Sequence, residues 1–576
     1  MKFPRLAVRA LNDYRRLSPL SYLGLRYSLT AAATLDERWA EQIAPEILRR
    51  QGGPAYLRAL QYKQVGHGGK LEYRNVRFPG ANEALAEAAL LAACSAAGGP
   101  FAPTDDVFSY HLARRASADG SFERYFKLFM ARQRAIARAC RLLPKGIVLY
   151  ADIRSFYPSV TTNRALKAWH AACEAAGLGR GWREVGDDLL EGQRACRQGL
   201  LIGPMFSHVV GNVLLSGLDE AMRRQFPRRH FRYVDDFVIV IPPDAQASSI
   251  RFLREELGKL ELHLNPDKVF TVSAQRWLAT APYQALEYDE EDKTDDRSWM
   301  RFIDALKCYL IAHSDRYGEL VRAFLEEDIR VSLPRYREAV ADPRYGHRFR
   351  RRLASPGFKS TIAGLTVRRL VNDAQLLRRG YEQECEVCLK QFQNSTGLER
   401  KWSQSRLRYL LGRLMVLATQ DRLALLARLL EGVPEFAEYH ACFRALVTRD
   451  ASELVQFSGK VCAAAGQAMA ASRRPVRCKP KRWSAAAIEG YVTLRLLGLD
   501  VSDVLPQRVE KDNRTRFALG DFGSEAWLAT QSGFFQELFA LATASGLQRH
   551  RELLQAPSDP DERWVVFADE LYGPSS

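Results

Sequence analysis

Several things are scarce in this chain of 576 residues. No apolar run is long enough to cross a bilayer, which takes about 20 residues, and the apolar stretch from Leu20 to Leu29 is interrupted by Arg26. That stretch offers no clear cleavage site either, so the sequence predicts no targeting signal, no membrane partner and a cytoplasmic location. The 10 cysteines are scattered, which argues against a disulfide framework and for reduced thiols. Only Cys385 and Cys388 form a CxxC, and no second pair follows at zinc-site spacing. Acidic side chains are in deficit, 67 against 84 Lys and Arg, leaving a formal charge of +17. That surplus points to a polyanionic partner, nucleic acid first and an anionic surface second. No fixed-period repeat is present.

What remains is ordinary globular material, 47% apolar and 26% charged, in a chain long enough for two or three domains. Up to about residue 285, strand and helix signals mix. "KLEYRNVRFPG" (Lys70 to Gly80) alternates and ends on a Pro-Gly breaker, and "ANEALAEAALLAACSAA" after it is strongly helical. Helix is also expected over Ser121 to Leu143, a buried strand over Ile147 to Ala151, and a loop leading into a helix over Leu200 to Met222. Beyond about residue 297 helical spacing takes over. Leu407, Leu410, Leu411, Leu414 and Leu417 form one apolar face, and Leu423, Leu426, Leu429 and Leu430 another. Asp421 is placed to cap the second helix, and Gly432 and Pro434 to stop it. Two basic stretches, Arg344 to Leu353 and Arg473 to Trp483, either grip phosphates and stack on bases or are solvated faces.

The segment "HFRYVDDFVIVIPPD" (His230 to Asp244) sets two carboxylates between runs of strand formers. It reads as two strands joined by a turn at Asp235-Asp236. Adjacent like charges resist folding unless a divalent cation neutralises them, although Asp is also at home in a plain turn. Upstream, Asp152 falls where a buried strand ends. Carboxylates converging from separate strands suit two-metal nucleotidyl transfer; phosphatases and cyclases use metal-binding aspartates as well.

Four segments, in order, resemble the A to D motifs of reverse transcriptases. They are "YADIRSFYPSV" (Tyr150 to Val160), "GLLIGPMFSHVVGNVLL" (Gly199 to Leu215), "RYVDDFVIV" (Arg232 to Val240) and "LHLNPDKV" (Leu262 to Val269). The resemblance implies an α/β right-hand polymerase fold, with fingers and palm over 1–285. A thumb-like helical segment over 286–345 and an all-α, helical repeat-like region over 346–576 would follow. It implies that Asp152, Asp235 and Asp236 bind two Mg2+ ions (Mn2+ as a substitute), with the carbonyl of Ile153 completing one site. The backbone amides of Ser155 and Phe156 would meet the dNTP triphosphate. Tyr157 would be the ring that excludes a 2′-hydroxyl, and Lys268 would serve the leaving group. Arg74 and Arg77 would grip the triphosphate from the fingers. Ile202-Gly203 stands where many members carry Gln-Gly, Gln198 being an offset alternative, and an apolar residue there implies relaxed fidelity. Leu201 and His208 also depart from the common pattern.

No HNH or RNase H pattern is evident. A palm followed by a long helical region is similar to the abortive-infection and defence-associated bacterial enzymes, as is "DDVFSYHLARR" (Asp105 to Arg115). That likeness implies antiphage DNA synthesis templated by a bound non-coding RNA, in a clan where homo-oligomers are common. Untemplated synthesis primed by a protein tyrosine, a retroelement mobility enzyme and an inactive nucleic-acid scaffold are the alternatives.

Overall fold

The structure, a computed structural model, describes residues 3–14, 18–31, 55–114, 120–123, 125–196, 199–280, 299–334, 336–337, 364–472, 474–501, 504–545 and 550–555. Gln198 and the basic stretch Arg344 to Leu353 lie outside them.

Among the described residues, six strands form two sheets. β1 (Tyr56–Val65) and β2 (Leu71–Pro79) make an antiparallel hairpin. β3 (Ile147–Asp152), β4 (His230–Tyr233), β5 (Asp236–Ile241) and β6 (Phe270–Ser273) make an antiparallel sheet in the order β4-β5-β3-β6. The period of two decides where its side chains go. Phe237, Ile239 and Ile241 of β5, with Leu149 and Ala151 of β3, enter one core beside Trp169 and Phe206. Val238 and Val240, with Val148, enter another with Ile136, Phe231 and Trp277. Both faces are covered, which is why "FVIVI" is a continuous apolar run rather than an alternating one.

The rest of the described chain is mainly helical. Helix Val367–Asn394 buries Val367, Leu370, Ala374, Leu377, Tyr381, Cys385, Cys388 and Phe392, the i, i+3, i+4 stripe of an amphipathic helix. The CxxC is therefore two positions of a core face, and burial pushes both thiols up, to about 12 and about 11. The pair Gly397–Leu417 and Gln420–Leu429 follows. The cap of the second is Thr419, whose hydroxyl accepts from the Arg422 amide at 3.3 Å, and Asp421, expected in that role, lies inside the first turn. Gly432, at φ 74, supplies the stop.

One apolar core joins these helices to the front of the chain: Leu20, Leu23, Tyr27 and Leu57 pack with Leu410, Tyr491, Phe517 and Phe539. The helix Pro19–Ala31 is shared, since its Tyr22 and Leu25 belong to the core beneath the four-stranded sheet. Among the described residues no helix is long and apolar enough to cross a membrane.

Candidate active site

β3 and β5 pair with Asp152 opposite Asp236, and β4 and β5 with Tyr233 opposite Asp236. The hairpin loop is therefore Val234-Asp235, one residue earlier than the Asp235-Asp236 turn expected, and Asp236 is the first residue of β5. Only the first loop residue has positive φ, 54° at Val234, the pattern of a type II′ turn, whose twist suits a hairpin. That conformation costs a β-branched residue on the order of 1–3 kcal/mol. Neighbours hold it in place. The Val234 amide donates to Ser109 Oγ at 2.8 Å, its carbonyl accepts from Arg232 Nη1 at 2.7 Å, and the next carbonyl, of Asp235, accepts from the Ile153 amide at 3.1 Å.

The strand pairing and the tight loop bring carboxylate oxygens of Asp152, Asp235 and Asp236 within 4.8 Å of one another. Among the described residues no other group of three His, Cys, Asp or Glu side chains is gathered in this way. Burial, and then the neighbouring carboxylates, raise Asp235 to about 6 and Asp236 to about 7. Cations border the cluster. Lys268 Nζ lies 3.1 Å from Asp152 Oδ2, and Asn265 Nδ2 donates to Asp152 Oδ1 at 3.3 Å. Arg132 donates to the carbonyls of Phe231 and Asp236 at 3.2 and 3.3 Å and lies 5.8 Å from the Tyr233 ring centre. Three hard oxygen donors beside a repulsion that a double positive charge would relieve make a fitting set for divalent cations.

The other expected residues divide. Arg74 of β2 faces the triad: burial lowers its guanidinium pKa, while Asp235 and Asp152 act to raise it. Arg77, three positions on and so on the opposite face of the strand, lies near Cys196 instead, where its charge pulls the thiol down against burial. Its amide donates to the Ile202 carbonyl at 2.8 Å, and a Cβ on Gly203, at φ 124, would overlap the Arg77 carbonyl. Ile202-Gly203 is thus the seat on which the β1-β2 hairpin rests. Ser155, at φ 49, precedes the short helix Phe156–Ser159; Phe156 is buried and the Ser155 side chain is exposed.

Tyr157 carries a contact the sequence did not foretell. Its hydroxyl lies 2.5 Å from Nδ1 of His208, which stacks on Tyr110 with ring centres 3.7 Å apart and planes at 6°. Burial lowers His208 to about 3, so the ring is neutral and its Nδ1 can accept the Tyr157 proton. Arg232 is another support missed. It holds Asp219 through two bonds of 2.7 and 2.6 Å, both side chains buried, and also donates to Asn212 Oδ1 at 3.2 Å. An arginine inside a strand, two residues before the turn, was the available signal.

No family model and no curated protein matches the chain. Among solved structures it is similar to telomerase from Candida albicans, in a complex with the TWJ fragment of telomeric RNA. Identity is 11%, the TM-score is 0.28, and the match covers 73% of this chain and 65% of that one. A likeness that slight carries no weight for fold or activity.

Proposed function

We propose that the chain is a metal-dependent nucleotide polymerase of the reverse-transcriptase type, adding dNTPs to a primer along a nucleic-acid template. One observation carries this reading: three carboxylates, from the facing ends of β3 and β5 and the loop between β4 and β5, converge within 4.8 Å, with a lysine at 3.1 Å from one of them. Asp152, Asp235 and Asp236 would hold divalent cations, Mg2+ foremost, which when bound would activate a 3′-hydroxyl and neutralise triphosphate charge. Around them this chain's own residues position and compensate. Arg74 offers fixed positive charge across from the triad, suited to a triphosphate. Lys268, 3.1 Å from Asp152, is within reach of the same site, where with that carboxylate holding a cation it would be placed to offer a proton to a leaving oxygen. Tyr157, tied by its hydroxyl, holds its ring in one place, as a sterically selective sugar pocket requires.

The finer reading, DNA synthesis on a bound non-coding RNA in antiphage defence, rests on the four sequence segments and the long helical region. Its test is purification of the protein with its bound nucleic acid, sequencing of that material, and incorporation of labelled dNTPs with Mg2+. A discrete RNA with complementary DNA supports templated synthesis. DNA without complementary RNA, inseparable from protein, replaces it by untemplated, protein-primed synthesis. No incorporation by the wild type on any primed template, with Mg2+ or Mn2+, removes the polymerase reading.

A further inference from the structure

The second basic stretch has a definite form. From Pro475 to Lys481 burial alternates: Val476, Cys478 and Pro480 point inward, while Pro475, Arg477, Lys479 and Lys481 are exposed; Arg474 and Arg482, just beyond the alternation at either end, are exposed too. A period of two is extended chain, and the backbone is fastened along both sides. Val476 N–H donates to Asp500 O at 2.8 Å, Arg477 N–H to Arg449 O at 2.9 Å and Lys479 N–H to Ser452 Oγ at 2.7 Å, while Arg477 O accepts from Ala451 N–H at 2.8 Å. Pro475 and Pro480 fix φ at two more positions. The result is a rail whose alternate cations stand about 6.4–6.8 Å apart on the solvent side. Its backbone ordering entropy is already spent in folding, unlike that of a basic tail.

Within the stretch itself, from Arg474 to Arg482, the sequence interleaves no acid, where a plain solvated face would. Among the described residues, Asp450 sits 2.8 Å from Arg477, and nearby Glu453 is engaged by Arg444 at 2.8 Å. No large apolar or aromatic side chain is exposed between Arg474 and Arg482, so nothing there would enter a bilayer. Gln456 links the far end of the rail to the β1-β2 hairpin. Gln456 Nε2 donates to Arg482 O at 2.9 Å, and Gln456 O accepts from the Tyr73 hydroxyl at 2.6 Å. Tyr73 and Arg74 are successive residues of β2, so the opposite face of the same strand looks onto the carboxylates.

We infer that Arg474, Arg477, Lys479, Lys481 and Arg482 bind the phosphates of single-stranded nucleic acid passing over the edge of the hairpin, outside the carboxylate site. A single row of cations matches one backbone rather than two, and contacts to phosphate alone are blind to sequence. The inference rests on the polymerase reading only for the origin of the strand.

The test is fluorescence anisotropy of a labelled, mixed-sequence single-stranded RNA across a salt series, on the full chain. Lys479→Ala with Lys481→Ala and Arg482→Ala should weaken binding and flatten the plot of log affinity against log salt by about 0.7 per lost phosphate contact, roughly 2 in all. The exchange Lys479→Arg, Lys481→Arg, Arg482→Lys should restore both, which separates charge from fold. Asp152→Asn with Asp235→Asn should end nucleotide incorporation and leave this binding as it is. An unchanged salt slope in the alanine variant overturns the rail, whatever the enzyme does. So does a loss confined to vesicles containing phosphatidylserine. A wild type that binds RNA with the full slope but never incorporates nucleotides removes the polymerase and spares the rail.

Discussion

Asp235 and Asp236, raised to about 6 and about 7 from 3.8, favour their protonated forms in the fold. Their contribution to stability is therefore fully present below about pH 4 and lost as the pH rises through 6 to 7. Divalent cations bind the ionised forms, so the rise in melting temperature on adding Mg2+ should be larger near pH 8 than near pH 5, on the order of several degrees. Differential scanning calorimetry with and without Mg2+ at the two pH values checks this. Asp235→Asn with Asp236→Asn should remove the Mg2+ response, raise the metal-free melting temperature near pH 8 and abolish incorporation. A variant that melts lower without metal would count against the repulsion argument. His208 gives a second prediction at this scale. If it anchors the Tyr157 ring, His208→Ala and Tyr157→Phe should each relax discrimination between dNTP and rNTP, by something like tenfold, about 1.4 kcal/mol. The double variant should relax it no further, as read from kcat/KM for the two sugars. The three aspartates were legible in the sequence because their chemistry is written in residue type and local order. His208, Asn265 and Ser109 were not, because each acts across a contact that exists only after folding.

At the scale of elements, β3 and β5 were readable from apolar runs and the hairpin from the strand formers flanking Val234 and Asp235. The turn was displaced by one residue because pairing of Tyr233 with Asp236 claims the second aspartate for the strand. Propensity favours Asp over Val in a turn, and the surrounding hydrogen bonds overrule it here. The same override moved the helix cap from Asp421 to Thr419. The strand β4 is fastened to helix Met205–Gln225 by the buried pair of Arg232 and Asp219. Asp219→Ala leaves that guanidinium without its carboxylate and should cost about 3–5 kcal/mol, measurable as a lower urea midpoint. Gly203 tests the other junction. Gly203→Ala meets strained φ and the Arg77 carbonyl together, and should speed hydrogen exchange at the Arg77 amide and lower incorporation. Gly217→Ala, in a helix with open space around it, should do neither.

Across the whole molecule, the fastening of front to back was the least legible feature. Composition and period placed a boundary near residue 285, but nothing local in "YLRALQYKQV" says that β1 will lie against helices some 400 positions away. Glu489 is the clasp: its carboxylate accepts from the Leu60 amide at 3.1 and 3.0 Å and from Ser458 Oγ at 2.8 Å, with Arg514 at 3.4 Å. Burial raises it to about 7, so, like Asp235 and Asp236, it favours the folded state most at acid pH and this contribution fades as the pH passes through 7. Glu489→Ala leaves the Leu60 amide unmatched in a part-buried place, a cost of about 1–3 kcal/mol. Hydrogen exchange should show opening at Leu60 well before the four-stranded sheet.

Tyr27 and His550, 523 positions apart, share a 2.9 Å hydrogen bond inside the core that seats the helix Pro19–Ala31. On a ribosome adding about 5–20 residues per second, that helix must wait on the order of 30–100 s for its partner. Until then the β1-β2 hairpin has no back wall, and a chain broken off in the helical region would leave its hairpin unseated beside an intact set of aspartates. Translation itself would thus act as a timer, withholding a finished carboxylate face from any chain whose helix around His550 has yet to be made.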